Sequence, residues 1–328
     1  MKFRNKLKPK ENSMFTENQK TDALFAGKNS RRNALKQLGL GALGVSSLAL
    51  LTNSGWADGE SDSEERSRHL FKIDAAVLNF ALNLEYLEAE YYIYATTGMG
   101  IEAQGVEVDG SGTPGNVIIK ANPAVPFASE AVREYAQEIA ADELNHVRFI
   151  RSVLKAAHLQ PVARPAIDLQ NSFTAAARAA GIIGPMDVFD PFANDASFLF
   201  GAFVFEDVGV TAYKGGARLL KNKDVLEAAA GILGVEAYHA GIIRTLLYQL
   251  GDGAQGVAQK ISDLRDAVDG SDDRDQGLVM DGKANLVPTD SNSLAFSRST
   301  RQVLNIVYLG ENATSGGFFP AGLNGAIH

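Results

Sequence analysis

Glu143-Leu-Asn-His146 and Glu236-Ala-Tyr-His239 are the stretches whose reading decides the fold. Each lies inside an apolar stripe of helical period. Positions 132, 135, 139, 143, 146, 150 and 153 read Val, Tyr, Ile, Glu, His, Ile, Val. Positions 225, 229, 232, 236, 239, 243 and 246 read Val, Ala, Ile, Glu, His, Ile, Leu. Residues three and four apart share one helix face, so both pairs are expected to point into a core. A carboxylate and an imidazole are costly there unless they are paired or bound to a metal. A single Glu-x-x-His on a helix is ordinarily a surface pair. Here the chain holds only five His, and two of them recur in this same setting.

Two further helices complete the set. Glu85 ends Leu78-Asn-Phe-Ala-Leu-Asn-Leu-Glu85 and shares a face with Leu78, Leu82, Ala89 and Tyr92. Glu206 shares a face with Leu199, Ala202, Val210 and Tyr213. In both cases a Tyr follows two turns later. The chain therefore reads twice as a Glu-x6-Tyr helix followed by a Glu-x-x-His helix, which predicts an all-α, pseudo-twofold four-helix bundle. One Glu from each of two helices and a Glu-x-x-His from each of the others is the ligand pattern of dinuclear carboxylate centres in bundles. Carboxylate oxygens and imidazole nitrogens suit two iron or two manganese ions, and four negative charges offset two divalent cations.

The candidate metal ligands are thus Glu85, Glu143, His146, Glu206, Glu236 and His239. Glu88, one turn beyond Glu85, is its rival; Glu85 is preferred because it lies on the Leu78/Leu82/Tyr92 stripe. Tyr92 and Tyr213 either donate hydrogen bonds to ligand carboxylates or simply pack, and the spacing leaves both open. Glu88, Glu90, Glu138 and Asp207 are expected to face solvent or neighbouring helices, and Asp142 to be an exposed helix residue.

Over residues 72–251 the sequence resembles the ferritin-like superfamily. In detail it looks closest to the group that includes desiccation-related proteins. The shared wording is Leu78-Asn-Phe-Ala-Leu-Asn-Leu-Glu-Tyr-Leu-Glu-Ala-Glu-Tyr-Tyr92, together with Gln302-Val-Leu-Asn-Ile-Val-Tyr308 and Gly317-Phe-Phe-Pro-Ala-Gly-Leu-Asn-Gly325 in the tail. The resemblance implies that Glu143 and Glu236 bridge the metals. It makes Glu85 and Glu206 terminal ligands, and gives His146 and His239 one metal each.

Outside the bundle, Ser30-Arg31-Arg32-Asn33-Ala34-Leu35-Lys36 resembles a twin-arginine export motif, departing from it at Ala34 where Phe is usual. The apolar run 38–51 that follows is too short to span a bilayer permanently. Gly55-Trp56-Ala57 then offers a cleavage site. Residues 1–57 are therefore read as a signal peptide, and a periplasmic or secreted location is expected. Removing them leaves 21 Lys/Arg against 36 Asp/Glu, a net charge near −15. That argues against nucleic acid as a partner, since phosphate binding needs a basic footprint. After cleavage no membrane partner is expected, whereas a homo-oligomer is compatible with the sequence. The chain has no Cys, which excludes disulfides, thiolate catalysis and iron–sulfur clusters. Any external reductant must come from another molecule.

The expected organisation is a disordered leader at 58–71, a bundle at 72–251 and a C-terminal extension at 252–328 that packs on the bundle or on a neighbouring subunit. Helices are predicted near 72–97, 127–158, 195–220 and 223–250. A Gly-rich insertion at 98–126 separates the first two (A–B). A long, Pro-punctuated crossover at 159–194, with a short helix near 170–181, separates the second and third (B–C), as a ferritin-like four-helix bundle requires. The tail is predicted to be loop-rich with one helix, about 292–309, and its Asp-rich stretch 266–281 to be a solvated loop. Three functions remain open at this point. The first is oxidoreductase chemistry on peroxide or O2, of peroxidase, ferroxidase or manganese-catalase type. The second is iron storage, disfavoured by the insertion and the tail. The third is a non-catalytic stress or desiccation protein.

Overall fold

The computed structural model describes residues 60–328, with side chains from Lys72. The expected signal peptide lies outside these residues. Seven helices carry the described chain: α1 (Glu60–Thr97), α2 (Glu130–Ala156), α3 (Asn171–Ala179), α4 (Asp195–Ala217), α5 (Lys223–Gln249), α6 (Asp252–Asp269) and α7 (Thr300–Val307). The fold is all-α, as the periodicity predicts. α1 packs along α2 and α4 along α5, and the two hairpins stand further apart from each other than the helices within each. Acidic side chains fill that gap.

Local chemistry sets the helix ends. The Ser129 side chain accepts from Val132 N and Asn194 from Ser197 N, while Asn222 accepts from both Asp224 N and Val225 N. Such caps satisfy amides that have no partner within the helix. Asp74 of α1 accepts from Lys221 N and Asn222 N at 2.7 and 2.8 Å, tying the α4–α5 turn to α1. α1 begins at Glu60, so the backbone is helical through most of the segment expected to be a disordered leader. Its opening turns are rich in Glu and Asp, which favour a helix N-terminus, and no Pro or Gly interrupts them.

The tail carries two helices rather than one. The sequence pattern does not mark α6, because Gly253 and Gly256 weaken it; its apolar face at Ala254, Ala258 and Ile261 is nevertheless buried. The Asp-rich stretch is not a solvated loop either. Arg298 donates to Asp269 Oδ2 at 2.6 Å and also pairs with Asp275, and Arg265 bridges Asp275 at 2.5 Å and Asp207 at 2.9 Å. Arg244 of α5 reaches the same Asp207 oxygen at 2.8 Å. Asp207 is therefore a buried anchor for the tail, facing the neighbouring helices α5 and α6, the second of its two expected surroundings.

The family wording has a structural cause. Asn79 Oδ1 accepts from Val162 N in the crossover. Asn83 Nδ2 donates to Asn324 O at 2.9 Å, and Asn324 in turn bonds Thr113 and Ala163. The Asn-x3-Asn repeat that precedes Glu85 thus ties α1 to the insertion, the crossover and the tail. The insertion lies against the crossover through the parallel pairing of β1 (Val117–Ile118) with β2 (Ile167–Asp168). A Cβ at Gly110 or Gly115 would overlap backbone atoms of residues 161–166, which accounts for glycine at both positions.

Candidate metal centre

All six sequence-predicted ligands meet in the gap between the hairpins. α1 supplies Glu85, α2 supplies Glu143 and His146, α4 supplies Glu206, and α5 supplies Glu236 and His239, and every one is buried. The i,i+3 spacing on α2 and α5 turns each Glu and His to one side. Glu143 sits between the imidazoles: its Oε2 is 3.3 Å from His146 Nδ1 and its Oε1 is 2.9 Å from His239 Nδ1. His146 Nδ1 also lies 3.2 Å from Glu85 Oε2 and 3.6 Å from Glu236 Oε1. His239 Nδ1 lies 3.6 Å from Glu206 Oε2. Two ligand groups result, Glu85/Glu143/His146/Glu236 and Glu143/Glu206/His239, with Glu143 common to both. Glu236, expected to bridge alongside Glu143, falls within the first group only.

The tyrosines bind across the bundle. Tyr92 of α1 donates to Glu206 Oε1 of α4, and Tyr213 of α4 donates to Glu85 Oε1 of α1. Crossed pairs at mirrored offsets require α1 and α4 to run antiparallel, and they fix one oxygen of each carboxylate. The other oxygen of each, Glu85 Oε2 and Glu206 Oε2, has only an imidazole nitrogen of His146 or His239 nearby and is buried without a hydrogen bond. So are Glu143 Oε1, both oxygens of Glu236, and His239 Nδ1. The 2.9 Å approach of His239 Nδ1 to Glu143 Oε1 is out of line for a hydrogen bond, which leaves both atoms unsatisfied.

Buried carboxylates without partners cost several kcal/mol each in a protein interior, of order 2–7 even for a neutral polar group. Six such atoms lie turned toward one another, in groups that could hold a metal ion. Oxygen-rich ligation with one imidazole in each group fits iron or manganese. The residues present therefore fit the group.

Without a cation the cluster must hold protons. Burial opposes charge on His146, but the Glu85 and Glu143 carboxylates outweigh it and push its pKa up to about 11. Burial likewise opposes charge on His239, and Glu206, Asp142 and Glu143 raise it to about 10. Desolvation and the charge of Glu143 push Glu206 up to about 8. Glu236 is driven well above the usual carboxylate range by burial and by Glu143. Burial also raises Glu143, but the two imidazoles prevail and hold it low. Burial, reinforced by the carboxylates beside them, keeps Tyr92 and Tyr213 protonated, hence donors.

Two residues expected elsewhere belong to this neighbourhood. Asp142 is half exposed, and its Oδ2 lies 3.2 Å from His239 Nε2, the ring nitrogen facing away from the carboxylates. Carboxylates in that position fix the tautomer and orientation of metal-binding imidazoles. No periodicity could reveal it, because Asp142 is off the buried face of α2 and meets His239 only through packing of α5. Glu88 does not displace Glu85; it is buried beside it, under the influence of Glu143, Glu206 and Glu85. Glu90 is buried too, paired with Arg164 of the crossover, while Glu138 is exposed as expected.

Fold and site together define a four-helix bundle built around buried carboxylates and imidazoles. The sequence model of the ferritin-like domain matches residues 73–249, and the chain belongs to that family. It is 32% identical over 274 residues to the desiccation-related protein PCC13-62 of Craterostigma plantagineum, covering 78% of this chain and 83% of that one. It is 26% identical over 272 residues to the ferritin-like catalase Nec2 of Nesocodon mauritianus, covering 77% and 84%.

Proposed function

We propose that this protein is an exported dinuclear metalloprotein that acts on peroxide or O2, with disproportionation of hydrogen peroxide as the favoured reaction. The observation that carries the reading is the set of unpartnered, mutually facing atoms on Glu85, Glu143, Glu206, Glu236 and His239. A pair of iron or manganese ions held there would supply a two-electron redox couple for O–O chemistry. Glu143 would bridge, Glu85 with His146 and Glu206 with His239 would hold the two ends, and Glu236 would complete the first group. Tyr92 and Tyr213 hold the end carboxylates in place from outside. Similarity to a protein named as a ferritin-like catalase supports peroxide as substrate. The absence of Cys also favours a reaction that needs no separate electron donor. The export motif and acidic balance support delivery outside the cytoplasm, with no nucleic acid or membrane as partner.

The test is oxygen evolution from peroxide by the metal-loaded protein, with and without added reductant. Turnover without reductant, lost in Glu143→Ala, is expected; turnover only with reductant would move the reading to a peroxidase. The similarity to a desiccation-related protein favours a second reading, structural protection without catalysis. It gains if Glu143→Ala folds normally and protects cells as well as the wild type.

A further inference from the structure

α6 ends on two acids one turn apart, Asp266 and Asp269, and no basic residue stands in its last turn. A helix C-terminus favours cations, not anions. Gly270, at φ +129°, turns the chain back in a conformation that glycine adopts at little cost. The returning segment wraps Asp266: Arg274 N and Asp275 N donate to its Oδ1 at 3.0 and 3.1 Å. Asp275 thereby comes beside the helix end. Asp266, Asp269 and Asp275 each offer a carboxylate oxygen, all within 4.8 Å of one another.

Arginines answer most of this charge but not all of it. Arg298 is shared between Asp269 Oδ2 and Asp275, Arg265 between Asp275 and Asp207, and Arg244 goes to Asp207. With Asp266, four carboxylates thus meet three guanidiniums, and none of the three forms an ion pair with Asp266. Arg274, the cation nearest in the chain, pairs with Asp272 instead. Asp269 is only 2% exposed, and its Oδ1 is buried without a hydrogen bond. A buried carboxylate oxygen with no donor costs free energy unless a cation satisfies it. Burial, reinforced by the charges of Asp275 and Asp273, lifts Asp266 to about 6 against the pull of the Arg274 amide, as surplus negative charge requires.

We propose that Asp266, Asp269 and Asp275 form a calcium site that fastens the tail to the bundle, separate from the dinuclear centre. The group offers hard carboxylate oxygens and no imidazole, which suits Ca2+ better than iron or manganese. Ligands on opposite sides of Ca2+ stand about 4.6–5.2 Å apart, against about 4.0–4.2 Å for Mg2+, so oxygens spread over as much as 4.8 Å fit the larger ion. Asp269 brings its free Oδ1, and Asp266 its Oδ2, since Oδ1 holds the two amides. Asp275, with both oxygens in ion pairs, offers a remaining lone pair. Asp266 is half-buried, which leaves a side open for water to complete the coordination. The ion would join α6 to segment 270–275. Through Arg298, which donates to Thr211 Oγ1 and from its own N to Thr211 O, it would also brace the tail on α4.

The test is calorimetric titration of the purified protein with Ca2+ after passage over a chelating resin. Wild type is expected to take one ion per chain with half-saturation at about 0.1–1 mM, the range of extracellular calcium modules. Ca2+ should raise the unfolding midpoint and slow hydrogen exchange of the amides of residues 266–275, and equal Mg2+ should do neither. Asp266→Asn keeps an acceptor for both amides but removes the charge, and should weaken Ca2+ binding at least about tenfold. Asp269→Asn should do the same. Asp272→Asn, which removes an exposed carboxylate paired with Arg274, should bind within about twofold of wild type. If Asp269→Asn does not fold because Arg298 loses a partner, Asp266→Asn decides alone. Folded wild type that binds no Ca2+ at about 5 mM, well above that range, overturns the proposal. So does binding that survives unchanged in Asp266→Asn, and an equal response to Mg2+ overturns the assignment to calcium.

Discussion

Replacing Tyr92 by Phe removes a single hydroxyl, and the structure specifies which ligand loses its partner. That hydroxyl donates to Glu206 on the opposite hairpin, not to Glu85 on its own helix. Tyr92 is fully buried, with its ring edge-on to Tyr91 at 5.2 Å, so no water replaces the lost donor and the ring stays in place. Glu206 would then have neither oxygen satisfied, since Oε2 already lacks a partner. A hydrogen bond to a charged group contributes about 1.5–3 kcal/mol. At about 1.4 kcal/mol per decade, that corresponds to roughly a ten- to hundredfold loss in metal affinity, the range seen when residues that orient metal ligands are removed. Tyr213→Phe should do the same through Glu85, at the His146 end. Chelator competition with Mn(II) or Fe(II) would show one weakened ion and one unchanged ion in each variant. The double variant should weaken both. If either single variant left both affinities within twofold, the crossed hydrogen bonds would not be supporting the site.

Three further outcomes follow from the geometry. Arg164→Met should strand the buried Glu90 carboxylate, costing about 3–5 kcal/mol; chemical denaturation of the metal-free protein would read this, and a loss below 1 kcal/mol would contradict it. Asn324→Ala removes bonds to Thr113 and Ala163 from one side chain and should lower stability by about 1–3 kcal/mol, with faster hydrogen exchange of the tail and insertion amides as its signature. The stability of the metal-free protein should fall as pH rises from about 5 toward 10. Glu206 keeps its proton in the fold up to about 8 and the imidazoles keep theirs to about 10 and 11. The native state therefore binds more protons than the unfolded chain over that window, and the slope is negative. Metal affinity should rise over the same window as those protons are displaced, and an apo-protein unfolding midpoint that climbs with pH would contradict the assignment.

The bundle and its six ligands were legible in the sequence because each helix buries one face. A Glu or His interrupting an apolar stripe of period 3.6 can only point inward, and the mirrored tyrosines marked the two halves as equivalent. What stayed hidden depends on contacts between distant segments. Asn83 reads as a polar residue on α1 until Asn324, far along the chain, arrives beside it. Asp269 and Asp275 read as solvated charges until Arg265 and Arg298 surround them.

Metal analysis of the protein exported by its native host, without added metal, tests the central claim most directly. The account predicts close to two iron or manganese ions per chain, falling to one or none in Glu143→Ala, whose carboxylate is shared by both ligand groups. Wild-type protein that is folded, exported and free of redox metal would contradict it.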